Sequence, residues 1–170
     1  MGRQMRPNTS RVLITILSLI ALTGCAPAGV KNVERVEVER TKTFDASFDQ
    51  VWAVTVEWFA SLGIPIEKVE KSSGLISSEW GGVGSDQTYI SCGEPTGNIG
   101  LYGAEFERIN IDINIIVRPV DSGVRSTINV FGTAVVDVSN ALGSVSKNTA
   151  QCASRGTLEK NYFSFLRSSL

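Results

Sequence analysis

The chain has 170 residues, 42% of them hydrophobic and 19% charged, and its 16 basic and 17 acidic side chains leave a formal charge of −1. That length suits one domain with a sizeable core, and the charge balance argues against nucleic acid as a main partner. Histidine is absent, which removes the commonest general base together with Ser-His-Asp, Cys-His and histidine–zinc chemistry.

Arg3, Arg6 and Arg11 form a positive start, and Val12 to Leu22 is an apolar run of 11 residues. The run is too short to span a bilayer and has the length of the core of an export signal. Leu22-Thr23-Gly24-Cys25 closes it and resembles the lipobox of bacterial lipoproteins. The resemblance implies that residues 1–24 are a cleaved signal peptide and that Cys25 becomes a diacylglyceryl-bearing, N-acylated first residue. At about 0.8 kcal/mol per buried methylene, several acyl chains hold a soluble domain at a membrane face. Ala26 stands where lipoproteins retained at the inner membrane carry aspartate, so the resemblance implies lipid anchoring at the periplasmic face of the outer membrane. The signal takes three arginines and no acidic residue with it, leaving 13 basic against 17 acidic side chains.

Residues 25–32 read as the lipidated N-terminus and a short polar tether, and residues 33–170 as a single α+β domain. Val33 to Arg40 alternates valine with charge, which predicts an edge strand with one wet face. Ser47-Phe48-Asp49-Gln50 has the form of a capping box and opens a helix to about Leu62. Phe48, Val51, Trp52, Thr55, Phe59 and Leu62 supply its apolar stripe, and Gly63 and Pro65 stop it. Ile64 to Val69 and Gly74 to Trp80 predict a hairpin around Lys71-Ser72-Ser73-Gly74. Gly81-Gly82-Val83-Gly84-Ser85-Asp86 lacks the lysine of a phosphate-binding loop and leads into strand-like Thr88 to Ser91, so it reads as a flexible connection.

A second loop is expected from Cys92 to Gly103. Phe106, Ile109, Ile111, Ile113, Ile115 and Val117 then alternate with polar residues in a long strand, with a one-residue slip near Arg108 that predicts a bulge. After a turn at Pro119 to Gly123, a returning strand over Val124 to Val138 sets Val124, Ser126, Ile128, Val130 and Gly132 on one side. Ser139 to Gln151, rich in Ser, Asn, Ala and Gly, reads as a loop. A last amphipathic helix opens at Gly156-Thr157 and buries Leu158, Tyr162, Phe165 and Leu166.

Cys92 and Cys152 remain once Cys25 is acylated, and in an oxidising compartment such a pair reads as a structural disulfide. Element order predicts an antiparallel sheet of about five to six strands with two helices packed on one face. That order, with the segments Cys92-Gly93-Glu94 and Cys152-Ala153-Ser154-Arg155-Gly156-Thr157-Leu158-Glu159, resembles the helix-grip domains of BamC (NlpB)-like envelope lipoproteins, accessories of outer-membrane β-barrel assembly. The resemblance spans most of Val33 to Leu170 and carries no catalytic motif.

No Gly-x-Ser-x-Gly elbow is present, and the carboxylate pairs Glu105/Glu107 and Glu67/Glu70 read as solvated charge. No catalytic residue, metal or cofactor is expected. The chain is therefore expected to be a non-catalytic interaction or scaffold module of the envelope, in outer-membrane protein assembly by the resemblance. It would dock on envelope proteins through the Val33–Arg40 edge or the glycine-rich loops. The alternative is a carrier of a lipid or other hydrophobic ligand in a helix–sheet groove lined by Trp52, Phe59, Tyr162 and Phe165.

Overall fold

The computed structural model describes residues 29–83, 86–96, 102–140 and 142–170. The signal segment, Cys25 and the start of the tether lie outside the described residues. In chain order the elements are β1 (Gly29–Lys31), β2 (Thr41–Phe44), α1 (Phe48–Ser61), β3 (Lys68–Glu70), β4 (Leu75–Val83) and β5 (Ile90–Ser91). They continue with β6 (Glu94–Thr96), β7 (Tyr102–Val120), β8 (Gly123–Asn140), β9 (Val145–Ser154) and α2 (Thr157–Ser169).

Seven strands form one antiparallel sheet in the order β3-β4-β7-β8-β9-β5, with β2 also on β8. β2 and β9 share one edge of β8 end to end, β2 opposite Val124–Thr127 and β9 opposite Phe131–Ser139. β1 and β6 pair separately and lie against β9 and β7. The fold is α+β; the sheet has seven strands, one more than the upper end of the expected range, but is six across because β2 and β9 share an edge.

β7 and β8 form its spine because their two-residue alternation puts Ile109, Ile111, Ile113, Ile115 and Val117 opposite Ala134, Gly132, Val130, Ile128 and Ser126 on one buried face. The register shifts between Phe106 and Arg108. Phe106 and Ile109 are three residues apart and would otherwise point to opposite faces, so this bulge lets both join the same core.

Both helices pack on that face. The Ser47 hydroxyl accepts the Gln50 amide while the Gln50 side chain accepts the Ser47 amide at 3.0 Å, so the capping box is complete. At the other end Gly63 takes a φ of 65°, which lets the chain leave the helix without a Cβ clash. Val51, Trp52, Thr55, Trp58 and Phe59 of α1 meet Leu158, Tyr162, Phe163 and Leu166 of α2 in one core. The rings of Trp58 and Tyr162 meet edge-on at 5.1 Å, and the Trp58 indole donates to Asn161 at 2.7 Å.

Three expectations are corrected. Val33 to Arg40 is not a strand: residues 32–40 have no regular structure, and pairing begins only where the Ile128 amide reaches the Arg40 carbonyl. Alternation supplies two faces, but a strand also needs a neighbour's free edge. Here the segment is held instead by side chains, the Glu34 amide on Ser91 Oγ at 3.0 Å and its carboxylate on Arg155 at 2.7 Å.

Ser139 to Gln151 is not a loop. β8 continues to Asn140, whose side chain accepts the amides of Leu142 and Ser144 in a tight turn, and β9 returns along the whole distal half of β8. Small polar residues have weak strand preference of their own, and the long template beside them overrides it. Likewise Gly29–Lys31, expected as tether, pairs with Glu94–Thr96 from the expected loop.

Candidate interaction site at the edge of β4

Cys92 and Cys152 are disulfide-bonded, with Cα atoms 4.2 Å apart and a sequence separation of 60. The bridge joins the end of β9 to the segment after β5, and polar contacts frame it. Gln87 accepts the Cys92 amide and donates to the Gly93 carbonyl. Arg155 donates to the carbonyls of Gln87 and Ile90 while pairing with Glu34.

The four residues proposed for a groove sit differently. Trp52, Phe59 and Tyr162 are buried in the helix–sheet core, whereas Phe165 is half-buried and its place in the core is taken by Phe163. The Tyr162 hydroxyl lies 2.6 Å from Ser126 Oγ and 2.9 Å from Thr55 Oγ1. Burial pushes this phenol up to about 12 despite those two hydrogen bonds. The cavities described next are lined by none of the four.

A different surface combines open backbone with a cleft. β4 pairs with β7 along its length, from Leu75 opposite Ile116 to Val83 opposite Arg108, but β3 covers only Leu75–Ser77 on its other side. The Glu67 amide donates to the Ser77 carbonyl, and the Val117 amide to the Gly74 carbonyl. Backbone groups alternate sides along an antiparallel strand, so Glu79 and Gly81 share the outward direction of Ser77. Among the described residues, nothing pairs with their outward amides and carbonyls.

Beside this edge, on the helix face, lies a cavity of about 260 Å³ lined by Trp80, Gly81, Gly82, Asp86, Tyr89, Ile109 and Ile111. Ile109 and Ile111 form a buried apolar floor. The rings of Trp80 and Tyr89, 5.3 Å apart and inclined at 46°, form a wall. Asp86 Oδ1 accepts both the Thr88 hydroxyl at 2.6 Å and the Thr88 amide at 2.9 Å, and these bonds hold its carboxyl below the usual carboxylate range. Among the described residues no cation pairs with it.

The two glycines of β4 differ. A Cβ on Gly81 would come within 2.5 Å of the Ile109 carbonyl oxygen, so close packing of β4 on β7 requires that residue to be glycine. A Cβ on Gly82 would meet nothing within 4 Å, so the strand is bare there and the cleft opens across it. The glycines expected to make a flexible connection thus begin inside a strand. Trp80, Tyr89 and Asp86 were not singled out by sequence, because only the tertiary fold brings a strand residue and two loop residues around one floor.

A second cavity, of about 530 Å³, lies between the Lys71–Gly74 turn and Arg118, but its lysine is already paired with Asp49 at 2.9 Å. Among the described residues there is no group of three metal-ligating side chains, and no helix long and apolar enough to cross a membrane. Neither the protein-family models nor the curated proteins contain a match to this chain.

Proposed function

We propose that this protein is a non-catalytic interaction module of the bacterial envelope, lipid-anchored through Cys25 at the periplasmic face of the outer membrane, which docks on envelope proteins. The observation that carries the docking reading is the open end of β4, where Glu79 and Gly81 present backbone groups that a partner strand can pair. The Val33–Arg40 route has no such support, since that segment is not a strand. The Cys92–Cys152 bridge supports an oxidising compartment, and the lipobox-like Leu22-Thr23-Gly24-Cys25 supports the anchor.

The test is made in cells. A photocrosslinking residue at Glu79, on the open edge, is expected to trap discrete envelope proteins, while one at Thr133, on the same sheet face but two strands in from that edge, is not. Equal trapping from both positions, or none from either, overturns the docking reading.

A further inference from the structure

We infer that the open β4 edge receives an extended polypeptide segment bearing a lysine or arginine, paired through its main chain with Glu79 and Gly81. Its basic side chain crosses Gly82 to the carboxylate of Asp86. This rests on the interaction reading and names the partner's chemistry.

Three features of the site select this occupant. Outward amides and carbonyls at alternate residues match the repeat of an extended chain, and a strand added there places every second side chain toward the helix face. A guest side chain beside Gly82 meets no host side chain, so a long one can lie across the bare strand onto Ile109 and against Trp80. The cleft is apolar along its floor and ends at a carboxylate that pairs with no cation among the described residues. Only lysine and arginine combine an aliphatic stem of that reach with a cationic head, and the Trp80 and Tyr89 rings add cation–π attraction.

The charges flanking the open end of β4 are mixed along β7 and acidic at Glu79. Of the β7 residues opposite Glu79–Val83, Asp112 is acidic and Arg108, at the far end opposite Val83, is basic. Glu79 and Asp112 stand opposite each other on the sheet face away from the helices, and Glu79 and Glu67 both raise the pKa of Asp112, after burial as the main cause. Negative charge therefore also gathers behind the edge, on the face that the guest's basic side chain does not enter. Basic residues at the guest's alternate positions, on that other face, relieve the repulsion, and acidic ones aggravate it.

The test uses the full-length protein in detergent and the dye-labelled peptide acetyl-Thr-Val-Thr-Lys-Thr-Val-Thr-amide. Companion peptides carry norleucine or glutamate at the centre, or N-methyl groups on the edge-facing amides. Saturable binding is expected for the lysine peptide, weaker by about tenfold or more for the glutamate and N-methylated ones. Asp86→Asn is expected to weaken the lysine peptide about fivefold and leave the norleucine peptide unchanged. Gly82→Leu is expected to block binding without lowering the melting temperature; if it does lower it, the peptide series and Asp86→Asn still decide.

Equal affinity for lysine and glutamate peptides, or undiminished binding after N-methylation, overturns the inference. So does full competition by lysine amide or a monosaccharide alone, since the cleft would then take a small molecule. Loss of all peptide binding while Glu79 still crosslinks envelope proteins overturns this inference and leaves the interaction reading standing. Lysine-peptide binding without crosslinked partners does the reverse.

Discussion

Tyr162 sets a phenol in the centre of the core, where Ser126 and Thr55 satisfy it. Tyr162→Phe removes both bonds; Thr55 keeps its bond to the Val51 carbonyl at 2.7 Å, and Ser126 loses its hydroxyl partner. The expected cost is about 1–2 kcal/mol, read as a lower denaturant midpoint at unchanged slope. The same residue gives stability a pH dependence. Its folded-state pKa of about 12 lies above the value of 10.0 for a free phenol, so between those pH values the folded state binds more protons than the unfolded. Its contribution is therefore intact below pH 10 and is lost as pH rises through 12, by roughly 2–3 kcal/mol. The difference between wild type and Tyr162→Phe isolates this slope from the other tyrosines, and parallel curves would refute it.

Glu159 is the opposite case. It is fully buried, and among the described residues neither carboxylate oxygen has a hydrogen-bond partner. Its place in the first turn of α2 favours a negative charge by about 0.3–1 kcal/mol, less than the desolvation of an unpartnered carboxylate. Glu159→Met is expected to raise stability by about 1–3 kcal/mol, and a lowered denaturant midpoint would contradict this account. At this scale the sequence was partly legible. Tyr162 and Leu158 stood in the buried stripe as expected, but Glu159 was not part of that stripe, because a first-turn position reports the helix dipole and not the neighbours that bury the side chain.

Among the elements, those with local signals formed where the pattern put them. The Ser47–Gln50 capping box is complete, and Ser47→Ala should cost about 1 kcal/mol, seen as an equal drop in global stability. The β7 bulge falls at the expected slip. β9 was missed because its residues have little strand preference and its register is dictated by β8. The disulfide ties that strand to the segment after β5. Closing 60 residues restricts the unfolded chain by about 4 kcal/mol on the chain-entropy account. Replacing Cys92 and Cys152 together by alanine should lower stability by about that amount, and reductant should then have no further effect. Gly132 shows how tightly this region is packed: a Cβ there would lie 2.4 Å from Ile90 Cδ1 and 2.7 Å from the Asn110 carbonyl oxygen.

For the whole molecule, the decisive variable is where the domain is held. Cys25→Ser should abolish incorporation of labelled palmitate and move the protein from the membrane to the soluble fraction, since one residue would carry all of the acyl chains. Labelling that persists in the variant would overturn the anchor, as would a wild-type chain that takes up no label. The disulfide bonds within one core, so it should form in Cys25→Ser as well. An open strand edge is at risk of unwanted pairing, and the neighbouring carboxylates of Glu67, Glu79 and Asp112 oppose it by repelling copies of themselves.

Hydrophobic periodicity, the helix cap, the bulge and the cysteine pair were sufficient to define an α+β domain with two helices on one face of an antiparallel sheet. Each of these signals lies within a few residues of the feature it encodes, or in a residue type whose chemistry permits one partner. Strand partners lie outside that reach. Whether Val33–Arg40 finds a ladder, whether Ser139–Gln151 becomes β9, and whether β4 runs past its neighbour depend on which edges remain free after distant segments have paired. The cleft of Trp80, Asp86 and Tyr89 arises from such a leftover edge, and so it could be found only with the sheet assembled.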